Sequence, residues 1–149
     1  MAESPSQTTI LVANGAGFLG DQPGAPQQLA RCVEFGEGRP AYLTLEYLAE
    51  LTMSILARRR QKDPSGGYAE DFLTALAELL DPLAARPHVR LVTNAGGANP
   101  EACVRAAAKL LCDSGFSQWR LGCVSGDDLL PRPPQLQAAG VAFKQLDTD

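Results

Sequence analysis

The chain has 149 residues, 45% of them hydrophobic and 20% charged. That length fits one domain, and that composition buries a real core, so fibrous and disordered classes are excluded. Thirteen Lys+Arg against 17 Asp+Glu leave a formal charge of −4, with no basic footprint for coating nucleic acid. No apolar run approaches the roughly 20 residues of a membrane span, so no membrane partner is expected either.

The first residues, MAESPSQTT, lack the basic flank and apolar core of an export signal, and the cytoplasm is the expected compartment. Residues 1–8 read as a disordered tail and 9–149 as a single domain. Thr9–Ala13 reads as a strand ended by Asn14-Gly15, and a helix is expected over Ala25–Phe35. Ala41–Leu45 is a second strand. From Glu46 to Arg60 the residues Leu48, Leu51, Ile55 and Leu56 form an amphipathic stripe, closed by Arg58-Arg59-Arg60 as a helix terminus in solvent. A further helix over Ala69–Ala85 carries Phe72, Leu76, Leu79, Leu80 and Leu83, with a kink or restart expected at Asp81-Pro82. Val89–Thr93 is the third strand.

Asn99-Pro100-Glu101 opens the next helix as N-cap, N1 proline and first-turn acid. Val104, Ala107, Ala108 and Leu111 give its buried face and Gly115 its stop. A fourth strand is expected over Trp119–Val124 and a weaker fifth over Val141–Phe143, with Leu130–Pro134 as a proline-rich loop between them. Strands alternating with helices of this length predict an α/β fold. The expected architecture is a three-layer, open, mostly parallel sheet with helices on both faces, Rossmann/flavodoxin-like, in strand order 2-1-3-4-5. The four cysteines, Cys32, Cys103, Cys112 and Cys123, form no CxxC pair, and His88 is the one histidine. They read as small buried hydrophobes in a reducing compartment, not as zinc ligands.

Ligands of open parallel sheets bind beyond the carboxyl ends of the strands. Four polar or glycine-rich stretches converge there: Asn14 to Gly17, Glu46, Asn94 to Gly97, and Ser125 to Asp128. Gly15-Ala16-Gly17-Phe18-Leu19-Gly20 matches the dinucleotide fingerprint, yet two prolines and a glycine in residues 23–26 delay the helix that should follow. Gly96, Gly97 and the helix start at Asn99 offer amides to a carboxylate or a carbonyl oxygen. Asn94 would orient the carbonyl, and Glu46 or Asp127 would transfer a proton. Asn14, Gly15, Gly17 and Asp128 complete the candidate binding set. Glu46 and Glu50, one helical turn apart, would face the site together, and Glu46 with Asp127 could hold Mg²⁺ through water. Tyr47 reads equally as donor and as packing. His88 precedes the third strand, far from this edge, and no GxSxG elbow exists, so a hydrolase triad is not supported.

The blocks Asn14-Gly-Ala-Gly-Phe-Leu-Gly-Asp21, Tyr47-Leu-Ala-Glu-Leu-Thr-Met-Ser-Ile-Leu-Ala57, Asn94-Ala-Gly-Gly-Ala-Asn-Pro100 and Gly126-Asp-Asp-Leu-Leu130 occur in this order. Asp63-Pro64-Ser65 followed by Gly67-Tyr68-Ala69 adds a fifth. Together they resemble the N-terminal region of the acyclic terpene utilisation (AtuA-like) family, from about residue 10 to residue 130. The resemblance implies a role in bacterial breakdown of citronellol- and geraniol-type acids as coenzyme A thioesters. Family proteins are longer, so the resemblance implies a first domain, either a fragment or one half of a split enzyme with a second chain.

Three functions follow as expectations. The first is an enzyme or site-bearing subunit acting on a small carboxylate or acyl thioester by lyase or hydration chemistry, with no redox cofactor. The second is a non-catalytic partner subunit docking another chain or copy through an apolar patch that includes Phe18 or Trp119. The third is a nucleotide-binding module built on Gly15, Gly17 and Gly20.

Overall fold

The structure is a computed structural model that describes residues 9–22, 24–32, 39–129 and 131–144. Three strands, β1 (Leu11–Asn14), β2 (Ala41–Leu45) and β3 (Val89–Thr93), pair in parallel in the order β1-β2-β3. Around them lie α1 (Ala25–Ala30), α2 (Glu50–Lys62), α3 (Asp71–Ala84), α4 (Pro100–Asp113) and α5 (Pro133–Ala138). The chain is an α/β protein with a parallel sheet, as its alternating elements require.

The strand order departs from the expected 2-1-3: β2, not β1, is central. Each crossover therefore steps the sheet in the same direction, and right-handed crossovers then lay their helices on one face. Accordingly α1 packs on α3 and β2, and α3 packs on α4. Ala41, Leu43 and Leu45 of β2 are buried beneath this layer, while Val12, Tyr42 and Val92 on the other face are 62%, 36% and 50% exposed. Helices on both faces would need a reversal of winding, and none occurs among the described residues.

The core is aliphatic: Leu43, Leu45, Leu56 and Leu79 are fully buried, with Phe72, Leu76, Leu80 and Leu83 of α3 and Cys103, Ala107 and Leu111 of α4 around them. The four cysteines divide, with Cys103 buried, Cys32 half-buried and Cys112 and Cys123 exposed, so the last two are not core residues.

Several elements differ from their sequence reading. α2 begins at Glu50, not Glu46, because Glu46 donates its N–H to the Ala16 carbonyl (3.0 Å) and Tyr47 donates its own to Asn94 Oδ1 (2.8 Å). These bonds hold the chain extended past β2, so Glu46 and Glu50 do not share a helix face. α3 continues through Pro82, which lies buried in its last turn. The missing N–H there forfeits one hydrogen bond, and packing of the apolar face outweighs it. α1 ends at Ala30, and residues 33–35 of the expected longer helix lie outside the described residues, as does the expected tail 1–8. Pro133 and Pro134 open α5 instead of prolonging a loop, since a proline at a helix start lacks a donor that would be unpaired anyway.

Neither Trp119–Val124 nor Val141–Phe143 forms a strand. α4 stops as its sequence predicts, with Gly115 at φ +85°. Phe116 N–H then turns back to the Leu111 carbonyl (2.8 Å), and Trp119 packs on Phe116 with ring centroids 4.8 Å apart and planes tilted by 58°. The tryptophan thus packs the end of α4, and Leu121 and Val124 beyond it are 42% and 94% exposed.

Candidate functional site

In a parallel sheet every strand ends on the same edge, and here that edge is polar. Asn14, Thr44, Leu45, Glu46, Val92, Thr93 and Asn94 line an open depression of about 490 Å³. Asn14 ends β1: its Oδ1 accepts from Thr44 Oγ1 (2.9 Å) and its Nδ2 donates to the Ala16 carbonyl (2.9 Å). Asn94 follows β3 and commits its Oδ1 to the Tyr47 N–H. Thr93 Oγ1 donates to the Leu45 carbonyl (2.8 Å) and accepts from Ala95 N–H (3.1 Å). Glu46 stands exposed at the rim. The structure therefore brings together Asn14, Glu46 and Asn94 of the expected set, and adds Thr44 and Thr93.

The glycine-rich turn after β1 is filled from within. Gly17 N–H and Gln22 N–H donate to the two carboxylate oxygens of Asp21 at 2.8 and 2.7 Å. These bonds hold the Asp21 carboxyl below its ordinary range. Gly15 N–H is also engaged, by the Thr44 carbonyl at 2.8 Å, and a side chain at Gly15 would meet Pro26 Cα at 2.9 Å. A carboxylate of the chain already sits on the Gly17 amide, and α1 starts only at Ala25.

The turn from β3 to α4 is similarly occupied. Gly97, Ala98 and Asn99 donate their N–H groups to the carbonyls of Asn94 (3.1 Å), Gly67 (2.9 Å) and Gly96 (2.8 Å). Asn99, 7% exposed, caps α4 by accepting from Ala102 N–H at 3.3 Å. Its Nδ2 ties down the 63–67 loop through the carbonyls of Pro64 (2.9 Å) and Gly66 (2.8 Å). Gly96 is required by close approach, since a Cβ would lie 2.8 Å from Pro100 Cα, and Gly97 by its φ of +51°. Gly97, Ala98 and Asn99 thus have their amides engaged inside the chain, and none of residues 95–99 lines the depression.

The family model described as Acyclic terpene utilisation family protein AtuA matches residues 10–149, nearly the whole chain. The chain belongs to the AtuA family. No curated protein and no solved structure matches it.

Elsewhere in this AtuA-family chain, Asp127 and Asp128 lie in the exposed stretch after Trp119. Arg60 Nη1 approaches Asp128 Oδ2 at 3.5 Å and donates to the Ala98 carbonyl at 2.5 Å. The end of the arginine triplet is thus a clamp joining α2, the α4 turn and the 125–129 stretch, not a terminus in solvent alone. Asp127 is not among the residues lining the depression.

Tyr47 is packing: it is 4% exposed, its ring meets Phe72 edge-on at 6.4 Å, and burial pushes its phenol up to about 12. His88 lies at the opposite end of the sheet, beside Pro40, Tyr42 and Arg90. Among the described residues, no group of three or more His, Cys, Asp or Glu is placed to hold a metal ion. None of their helices is long and apolar enough to cross a membrane. Thr44 and Thr93 escaped the sequence reading because each lies inside an apolar strand; their position as the last polar group of the strand is the signal that could have found them.

Proposed function

We propose that this AtuA-family chain carries the small-molecule site of an enzyme that acts on a small carboxylate or an acyl thioester by acid–base chemistry of the lyase or hydration kind. The observation that supports it is the meeting of Asn14, Thr44, Glu46 and Asn94 around one open depression at the carboxyl edge of the sheet. Glu46 takes a proton from the carbon beside the carbonyl. The Asn94 amide group and the second N–H of Asn14 Nδ2 bind the oxygen on which charge develops, while Thr44 spends its one hydroxyl proton on Asn14 Oδ1 and so positions that side chain. With the amides of Gly17, Gly97 and Asn99 engaged within the chain and Gly96 outside the lining of the depression, side chains carry this role. Glu46 is the proton-transfer group of this reading, since Asp127 does not line the depression. A partner-subunit role is the second reading, favoured by the exposed apolar face of the sheet. The nucleotide reading is the weakest of the three, because Asp21 fills the glycine turn.

The test is a melting-temperature scan against acyl thioesters, short free acids, NAD(P) and ATP. A ligand at about 100 times its dissociation constant adds roughly 2.7 kcal/mol. Thioesters or acids should raise the melting temperature of both the parent chain and Glu46→Gln, while Glu46→Gln loses about 100-fold or more of any turnover. A shift with nucleotides alone would overturn the proposal.

A further inference from the structure

We propose that Asn14-Gly15 is a site of self-modification by deamidation, held closed by Thr44 and opened when the edge strand β1 detaches, and that conversion of Asn14 to aspartate silences the depression. Asparagine is among the thermolabile side chains. Its amide is lost when the next backbone nitrogen attacks Cγ, and a glycine there leaves that nitrogen unshielded. The asparagines of this chain differ in that respect. Asn14 is followed by Gly15, Asn94 by Ala95, and Asn99 by Pro100, whose nitrogen carries no proton and cannot react. Packing and hydrogen bonding keep the labile pair in place. A side chain at Gly15 would meet Pro26 Cα at 2.9 Å and Leu45 Cδ2 at 3.1 Å, so only glycine fits. Asn14 ends β1 and lines the depression, where its amide bonds on both sides.

The reaction balances with water alone. Gly15 N gives up its proton and bonds to Asn14 Cγ; the bond from Cγ to Nδ2 breaks, and Nδ2 leaves with that proton as ammonia. Water then opens the cyclic imide at either carbonyl, giving aspartate or its β-linked isomer. The folded chain opposes the first step. In a strand the side chain stands out of the sheet while the next N–H lies in its plane, so nitrogen and Cγ are kept apart. Gly15 N–H is donated to the Thr44 carbonyl at 2.8 Å, and Thr44 Oγ1 donates to Asn14 Oδ1 at 2.9 Å. Asn14 Nδ2 donates to the Ala16 carbonyl at 2.9 Å. All of this depends on β1, which is four residues long and pairs on one side only, with β2. Such an element opens at a lower free energy than the whole fold. The product exchanges the Asn14 amide donor for a carboxylate in a depression that Glu46 already lines. That consequence rests on the functional reading above; the deamidation does not.

Mass spectrometry of the digested full chain, kept folded or in urea at neutral pH, tests it. In urea Asn14 should convert ahead of Asn94, and Asn99 not at all. In the folded chain Asn14 should convert roughly tenfold or more slowly, at a rate set by how often β1 opens. Protection of the Gly15 N–H against hydrogen exchange should match that ratio to within about a factor of three. Thr44→Val keeps the carbonyl and loses the hydroxyl, so it should speed conversion at Asn14 in the folded chain with no matching rise at Asn94. Equal rates folded and unfolded, Asn94 ahead of Asn14 in urea, or an equal rise at both asparagines in Thr44→Val overturns the proposal. Should Thr44→Val fail to fold, the match between conversion and exchange in the parent chain decides. Asn14→Asp should lose the rise in melting temperature that short acids give the parent; keeping the full rise overturns the silencing. A parent chain with no response to the ligand panel would defeat the functional reading and leave the deamidation standing.

Discussion

Asn99 satisfies three backbone groups with one side chain, and in doing so joins two loops that lie 33 residues apart in sequence. Alanine at this position removes the α4 cap and orphans two carbonyls in a buried setting. The expected loss is about 2–4 kcal/mol, read as a lower urea midpoint at unchanged slope. Asp21 acts at the same scale with the opposite consequence for function. Its carboxylate organises the glycine turn that a phosphate would otherwise approach, so residue chemistry and not backbone pattern decides what that turn binds. Asn99 was legible as a cap because Pro100 and Glu101 follow it. Its donation to Pro64 and Gly66 was not, since nothing local ties the 63–67 loop to α4.

At the scale of elements, the contact between the extension of β2 and α3 is set by Tyr47 against Phe72. Because the fold raises the Tyr47 phenol to about 12, its neutral form is favoured in the native state. The resulting stabilisation is complete below the ordinary tyrosine value near 10 and is lost as pH rises toward 12. Thermal unfolding from pH 8 to 12 should therefore show stability falling more steeply above pH 10 in the parent chain than just below it. The fall should be shallower in Tyr47→Phe, which keeps the ring. Burial also lifts the Cys103 thiol to about 11 from its usual 9, so the slope remaining in that variant begins near pH 9. The helical stripes of α3 and α4 were readable from sequence because one face of each packs on the core. The stripe read on α2 does not hold: Leu48 precedes the helix, Leu51 and Ile55 are exposed, and the helix buries Thr52 and Leu56.

Over the whole molecule, the winding direction decides most. Two crossovers stepping the same way give one covered and one open face, and the carboxyl edge of that open face holds the depression. Stability should be distributed accordingly. In amide hydrogen exchange, β2 and the middle of α3 and α4 should exchange slowest, through global opening. Residues 120–129, exposed and without a strand ladder, should exchange within the shortest time point. Slow exchange there in dilute protein would show the stretch to be packed.

The sequence by itself determined the α/β class, the existence of the three strands, the α4 cap and stop, and the polar carboxyl edge with Asn14, Glu46 and Asn94. Each follows from local chemistry: apolar runs, turn glycines, a proline at N1 and helical periodicity. Only the tertiary structure decided that β2 is central, that Trp119 packs the end of α4 in place of starting a strand, and that the Asp21 carboxylate and carbonyls of the chain engage the Gly17, Gly97 and Asn99 amides a ligand would need. Strand order, the fate of an apolar segment and the partner of a buried amide all depend on contacts between residues distant in sequence, and no local pattern records those.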